Sequence, residues 1–205
     1  IFGETHPALR TVVVEPRREL RLTDYYPEWN ILELEAHPEA KGASLTELVE
    51  TVALRFSADR FIMAEFRGYG EAREAVRLCH KGHKGSMATT HAVSPEEALL
   101  TTAWMMQEEG LTGTPLDLVV MRVAYAYDVV VQMFYDSAHG TRRIESVTEI
   151  VRRKDGPEFR TLIRWKPERE YHGAGRWAFV NPPTERLKQE MFRFGVDPAE
   201  VDKLW

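Results

Sequence analysis

The run Phe61-Ile62-Met63-Ala64-Glu65-Phe66-Arg67-Gly68 limits the fold more than any other segment. Its apolar residues do not alternate with polar ones, so the segment reads as a strand buried on both faces, which delivers a carboxylate and an arginine to a sheet edge. Similar signals surround it. Arg10 to Val14 is a β-branched run stopped at Glu15-Pro16, and Trp29 to Leu34 alternates as a second strand. Ser44-Leu45-Thr46-Glu47 is a capping box, followed by Leu45, Leu48, Val49, Val52 and Phe56 at helical spacing. Asp59 to Phe66 is the third strand, Glu71 to Cys79 a short helix, Met87 to Thr90 a fourth strand, and Ser94-Pro95-Glu96-Glu97 opens another helix. Strands alternating with helices predict an α/β fold with a doubly wound, largely parallel sheet.

Beyond that region, Leu116 to Tyr127 reads as a helix and Val129 to Tyr135 pairs with Thr141 to Val151 as a β-hairpin. From Arg152 the texture turns basic, with a strand at Phe159 to Trp165, a Gly-containing loop at Tyr171 to Arg176, and a helix from Thr184 to Phe194 ended by Gly195. The expected organisation is a main domain over 1–151 and a small α+β extension over 152–205 packed on it.

Composition decides what the chain is not built for. A formal net charge of −5 over 205 residues gives no global field to attract nucleic acid, and no apolar run approaches the length of a membrane span. The single cysteine, Cys79, excludes an internal disulfide and fits a reducing cytoplasm. A first residue of isoleucine leads us to read the chain as part of a longer protein.

Chemistry concentrates in two segments. Glu65, at the C-terminal end of a buried strand, stands where α/β sheets bind ligands and can hold Mg²⁺ through water or polarise an attacking water. Gly82-His83-Lys84-Gly85-Ser86-Met87-Ala88-Thr89-Thr90-His91-Ala92 packs small residues, hydroxyls and two imidazoles into eleven positions. There His83 and His91 can donate to a terminal phosphate, with Ser86, Thr89 and Thr90 as further donors. A zinc hydrolase using Cys79, His80, His83, His91 and Glu65 is disfavoured, because the two box histidines form no i, i+4 pair.

Taken together, these residues resemble the ATPases of the type II/type IV secretion superfamily, most closely the Flp/Tad pilus ATPases of the CpaF type. Ala64-Glu65-Phe66-Arg67-Gly68 is similar to the family's Walker B end, Gly-Glu-Val/Ile-Arg-Gly, with Ala64 in place of glycine. Gly82 to Ala92 matches every fixed position of its histidine box, Gly-His-x-Gly-Ser-x-x-Thr-x-His-Ala. Val13-Val14-Glu15-Pro16-Arg17-Arg18-Glu19-Leu20 resembles its aspartate box, with Pro16 where the aspartate stands. The tail from Ser146 to Gly195 follows the family more loosely.

The resemblance implies a RecA-like domain truncated before its first strand and P-loop, with ATP as substrate and Mg²⁺ as cofactor. It implies catalytic roles for Glu65, Glu15, Glu19 and Arg67, and nucleotide sensing by His83, His91, Ser86, Thr89 and Thr90. It further implies a homo-hexamer in the parent protein, docked on an inner-membrane platform protein. The parent would be cytoplasmic and peripheral at the inner face of the membrane, with neither nucleic-acid binding nor membrane insertion. No glycine here is followed by lysine, so the phosphate cradle is expected outside the chain, and the chain alone is expected to be inactive. The alternative is a non-catalytic scaffold that keeps the fold.

Overall fold

A computed structural model describes residues 2–37, 39–41, 44–80, 82–108, 111–168 and 173–205. Thr11–Glu15 forms β1, buried along its whole length, because three consecutive valines suit a strand covered on both faces. Ile31–Glu35 (β2) pairs with one side of β1, Val13 opposite Glu33, and Arg60–Glu65 (β3) with the other, Val13 opposite Ile62. Met87–Thr89 (β4) lies beyond β3, with a register irregularity between Met63 and Glu65. All pairings are parallel, in the order β2-β1-β3-β4.

Helices supply the crossovers. A short α1 (Leu22–Tyr25) leads to β2, and α2 (Leu45–Thr51) starts at the capping box, which is realised reciprocally between Ser44 and Glu47. The pattern predicts that helix as far as Phe56, yet it ends at Thr51 and a single 3₁₀ turn, Ala53–Arg55, succeeds it. The chain must turn there to enter β3 at Arg60. The next helix, α3 (Tyr69–His80), buries Ala72, Ala75, Val76 and Leu78. Glu50 on α2 pairs with Arg77 at 2.9 Å, and Arg77 with the buried Glu74 at 3.2 Å, so charge as well as packing ties α2 to α3.

This order has one consequence for function. After β1 the chain turns toward β2, whereas after β3 it turns toward β4 on the other side. The two loops diverge, and the space outside the C-terminal ends of β1 and β3 is the crevice where open α/β sheets bind ligands. Glu15 and Glu65 are the last residues of those two strands.

The helices α4 (Pro95–Glu108) and α5 (Leu116–Ala126) come next. A second sheet is antiparallel: β5 (Val129–Asp136), β6 (Thr141–Arg153), β7 (Gly156–Pro167) and β8 (Gly175–Phe179), in that order. The expected hairpin is its β5–β6 pair, turning at Gly140 with φ 65°. The strand β8 was not expected, because a glycine-rich lead-in hides it. Of the loop predicted over Tyr171 to Arg176, Tyr171 and His172 lie outside the described residues, and Gly175 and Arg176 belong to β8. The helix α6 (Glu185–Arg193) is N-capped by Thr184 and ended by Gly195 at φ 91°; a short α7 (Pro198–Asp202) comes last. Buried Glu149 on β6 accepts the Thr184 backbone N–H at 2.8 Å and its hydroxyl, and Arg186 pairs with Asp128 at 2.6 Å, which fixes α6 to this sheet.

Backbone contacts divide the chain into two compact units, 1–91 with 101–122 and 92–100 with 123–205. Residue 151, where composition placed a boundary, is inside β6. The parallel sheet belongs to the first unit and the antiparallel sheet to the second.

If the apolar filling of β3 carries the first unit, Met63→Ala should lower unfolding stability by about 2–5 kcal/mol in urea titration. Val93→Ala, at an exposed position, should stay within about 0.5 kcal/mol.

Candidate functional site

Glu65 leaves β3 at the crevice with its side chain 25% exposed, and an arginine and a histidine close on it. Arg67 Nη2 lies 2.6 Å from Oε2, and His91 Nε2, just past β4, lies 2.6 Å from Oε1. The His91 approach is short but not aligned as a hydrogen bond, so Oε1 is a buried acceptor without an aligned donor. The Arg67 contact, opposed by burial and helped by the charges of Arg67 and His91, holds the Glu65 carboxyl below its ordinary range. The same pairing raises Arg67, to which the charges of Glu19 and Glu71 add.

Arg67 is placed by its backbone. Glu71 Oε2 accepts the N–H groups of Arg67 at 2.8 Å and Gly68 at 3.2 Å, which caps the start of α3 and fixes the loop after β3. Sequence reasoning passed over Glu71. Its signal was an acidic residue in the first turn of the helix that begins after Gly68.

The segment after β1 is held as firmly. Glu15 is 1% exposed, and its Oε1 accepts the backbone N–H groups of Glu19 at 3.1 Å and Leu20 at 3.0 Å. Arg18 pairs with Glu33 at 2.9 Å. Burial raises the Glu33 carboxyl, but the Thr23 hydroxyl and N–H together with Arg18 outweigh that and leave it lowered. The Glu15 carboxylate therefore shapes its own loop, while exposed Glu19 contributes charge near Arg67.

The structure brings only part of the Gly82–Ala92 box to this edge. Thr89 donates to the Ala64 carbonyl and Thr90 to the Phe66 carbonyl at 3.2 Å, which staples β4 to β3 and delivers His91, 84% exposed, beside Glu65. His83 and Ser86 precede β4 and sit at the other end of β3. His83 Nδ1 is 3.0 Å from the Ala58 carbonyl, and its ring meets Phe61 edge to face at 4.7 Å. Ser86 accepts the Phe61 N–H at 3.0 Å and donates to the His83 carbonyl at 2.6 Å. Five residue steps from Arg60 to Glu65 separate the two ends by roughly 16 Å at about 3.3 Å per residue. Among the described residues no group of three or more His, Cys, Asp or Glu converges as a metal site, and no helix is long and apolar enough to cross a membrane.

Known proteins resemble this chain in sequence and in fold. The chain is 35% identical over 148 residues to the type IV secretion system protein PtlH of Bordetella pertussis, a match covering 70% of this chain and 42% of PtlH. PtlH homologs of Bordetella parapertussis and Bordetella bronchiseptica match to the same extent. Among solved structures, the VirB11 ATPase of the Brucella suis type IV secretion system, in complex with sulphate, superposes with a TM-score of 0.62. That match is 28% identical and covers 72% of this chain and 42% of VirB11. The similarity supports membership of the secretion ATPase superfamily. The chain spans about two fifths of the length of these relatives. No protein-family model matches it.

Two outcomes test the geometry. Ser86→Ala removes the acceptor of the Phe61 N–H and should cost about 1–3 kcal/mol in denaturant unfolding, whereas His91→Ala should stay within about 0.5 kcal/mol. A carboxyl lowered in the folded state stabilises above its unfolded pKa, and that contribution is lost as pH falls through the folded one. The stability gap between wild type and Glu65→Gln, under about 1 kcal/mol at neutral pH, should therefore close as the pH drops below the ordinary carboxylate range.

Proposed function

We propose that this chain is part of the motor domain of a secretion ATPase, and that the crevice edge bearing Glu65, Arg67 and His91 faces the terminal phosphate of bound ATP. The observation that carries the reading is the convergence of these three side chains at the C-terminal ends of a parallel sheet related to that of VirB11.

The residues fit a Mg²⁺-nucleotide in one respect above others. Glu65 Oε1 is buried, ionised and without an aligned donor, so it has lone pairs for a metal-bound or attacking water. Mg²⁺ would supply charge neutralisation for the phosphates when bound. Arg67 and His91 lie against the carboxylate and are exposed enough to turn toward a phosphate. Glu15 keeps its loop in place, and Glu19 adds negative charge at the same edge. The hydroxyls of Thr89 and Thr90 already donate to backbone carbonyls, so they hold the edge together, and His83 and Ser86 support it from the far end of the strand.

On this reading the longer protein carries the P-loop upstream and assembles as a homo-hexamer. It would dock on an inner-membrane platform at the cytoplasmic face, coupling ATP hydrolysis to secretion or pilus assembly. The spelling of the histidine box and Walker B end supports the Flp/Tad pilus class; the PtlH and VirB11 matches support type IV secretion as the wider setting. A scaffold without catalysis is the second reading, favoured by the lack of any Gly-Lys pair in the chain.

The isolated chain should bind Mg-ATP only weakly in isothermal titration, and affinity in the low micromolar range would place the phosphate cradle within it. In a longer protein that includes the P-loop, Glu65→Gln should lower turnover at least tenfold, about 1.4 kcal/mol, with an unchanged unfolding midpoint. Turnover within twofold of wild type would overturn the role of Glu65, and no turnover in the unaltered protein would favour the scaffold.

A further inference from the structure

The antiparallel sheet carries positive charge that no carboxylate among the described residues neutralises. On β7, Arg164 and Lys166 lie two residues apart in a regularly paired stretch and so share one face, and with Arg160, Thr161, Val180 and Asn181 they line an open groove. Across to β8, Arg164 stands opposite Ala178 and Lys166 directly opposite Arg176. Two cations in register on neighbouring strands repel, since their Cβ atoms lie about 5 Å apart. Among the described residues no carboxylate pairs with Arg164, Lys166 or Arg176; the groove's acid, Glu158, is held by Arg153 at 2.8 Å.

A second observation concerns the backbone. The five-residue β8 is the last strand of its sheet, so among the described residues one side of Gly175–Phe179 has no strand beside it. Trp177 and Phe179 on this strand are about half exposed, Trp177 reaching across β7 to donate to the Ile144 carbonyl at 2.9 Å and Phe179 meeting Trp205 edge to face at 5.2 Å. Unpaired N–H and C=O groups on such an edge accept an added strand.

We propose that the β7–β8 edge is a docking site for an extended, acidic segment of a partner protein, which adds beside β8 and sets its carboxylates against Arg176, Lys166 and Arg164. An extended strand presents alternate side chains to one face, which matches cations spaced two residues apart and across adjacent strands. A strand edge offers backbone donors and acceptors in a row, which an extended peptide can pair with and an anionic membrane surface cannot. This inference is independent of nucleotide binding.

The test uses the 205-residue chain and a fluorescein-labelled octapeptide alternating glutamate and valine, read by anisotropy. An octapeptide alternating lysine and valine and vesicles rich in phosphatidylglycerol serve as controls. The expected result is saturable binding of the glutamate peptide, no binding of the lysine peptide, and protection of β8 amides from hydrogen exchange. The double variant Arg164→Gln/Lys166→Gln and the single variant Arg176→Glu should each weaken binding at least tenfold while keeping the wild-type circular dichroism. Equal binding by wild type and both folded variants would overturn the proposal. So would preference for the vesicles over the peptide, or self-association of Arg176→Glu without loss of peptide affinity, which would assign the cations to guarding the edge.

Discussion

The site depends on the parallel pairing of β1 with β3. Val12, Val13 and Val14 are completely buried between β2 and β3, and Phe61, Ile62 and Met63 lie beside them with almost no exposure. A strand so apolar is stable only when both its faces are covered, and this fixes β1 in the interior of the sheet. Once it is there, β2 and β4 must lie on opposite sides, and the loops after β1 and β3 have to part. The crevice is thus a result of packing, and its two terminal carboxylates, Glu15 and Glu65, come from the ends of the strands that create it.

The two carboxylates then take different work because their surroundings differ. Glu15 is enclosed and meets two backbone N–H groups, so its charge is spent on loop shape. Glu65 is partly open and meets the exposed Arg67 and His91, with one oxygen left short of an aligned donor. Hydroxyls play the parallel role on β4. Thr89, Thr90 and Ser86 all bond to β3 or its neighbours, so the box that delivers His91 also fastens the short edge strand that carries it.

Much of this was legible in the sequence, and the reasons differ by element. The valine run and the Phe61 run announced buried strands because burial on both faces leaves no alternation, and the Ser44 and Ser94 caps announced helix starts because capping is local. The strand β8 was hidden, since Gly173 and Gly175 read as loop while its pairing with β7 is set by tertiary contact. The grouping of the hairpin with β7 and β8 in a separate antiparallel sheet was equally invisible, being a matter of which strands meet. In the site, motif spelling put His83 and His91 on the same footing. Three-residue β4 lies between them, and a strand carries the chain from one edge of its sheet to the other, so the two histidines end up apart. Glu71 escaped notice because its action is on backbone N–H groups, which no side-chain motif records.

The central claim is that nucleotide meets this fold at the Glu65 edge. A structure of a longer protein containing this chain and a P-loop, with Mg²⁺ and a non-hydrolysable ATP analogue, tests it most directly. The account predicts the terminal phosphate on the side of Glu65 and His91, Glu65 Oε1 within one water of the metal, and His83 still bonded to Ala58. A nucleotide seated at the His83 end of the sheet, or bound elsewhere while Glu65 stays closed between Arg67 and His91, would contradict it.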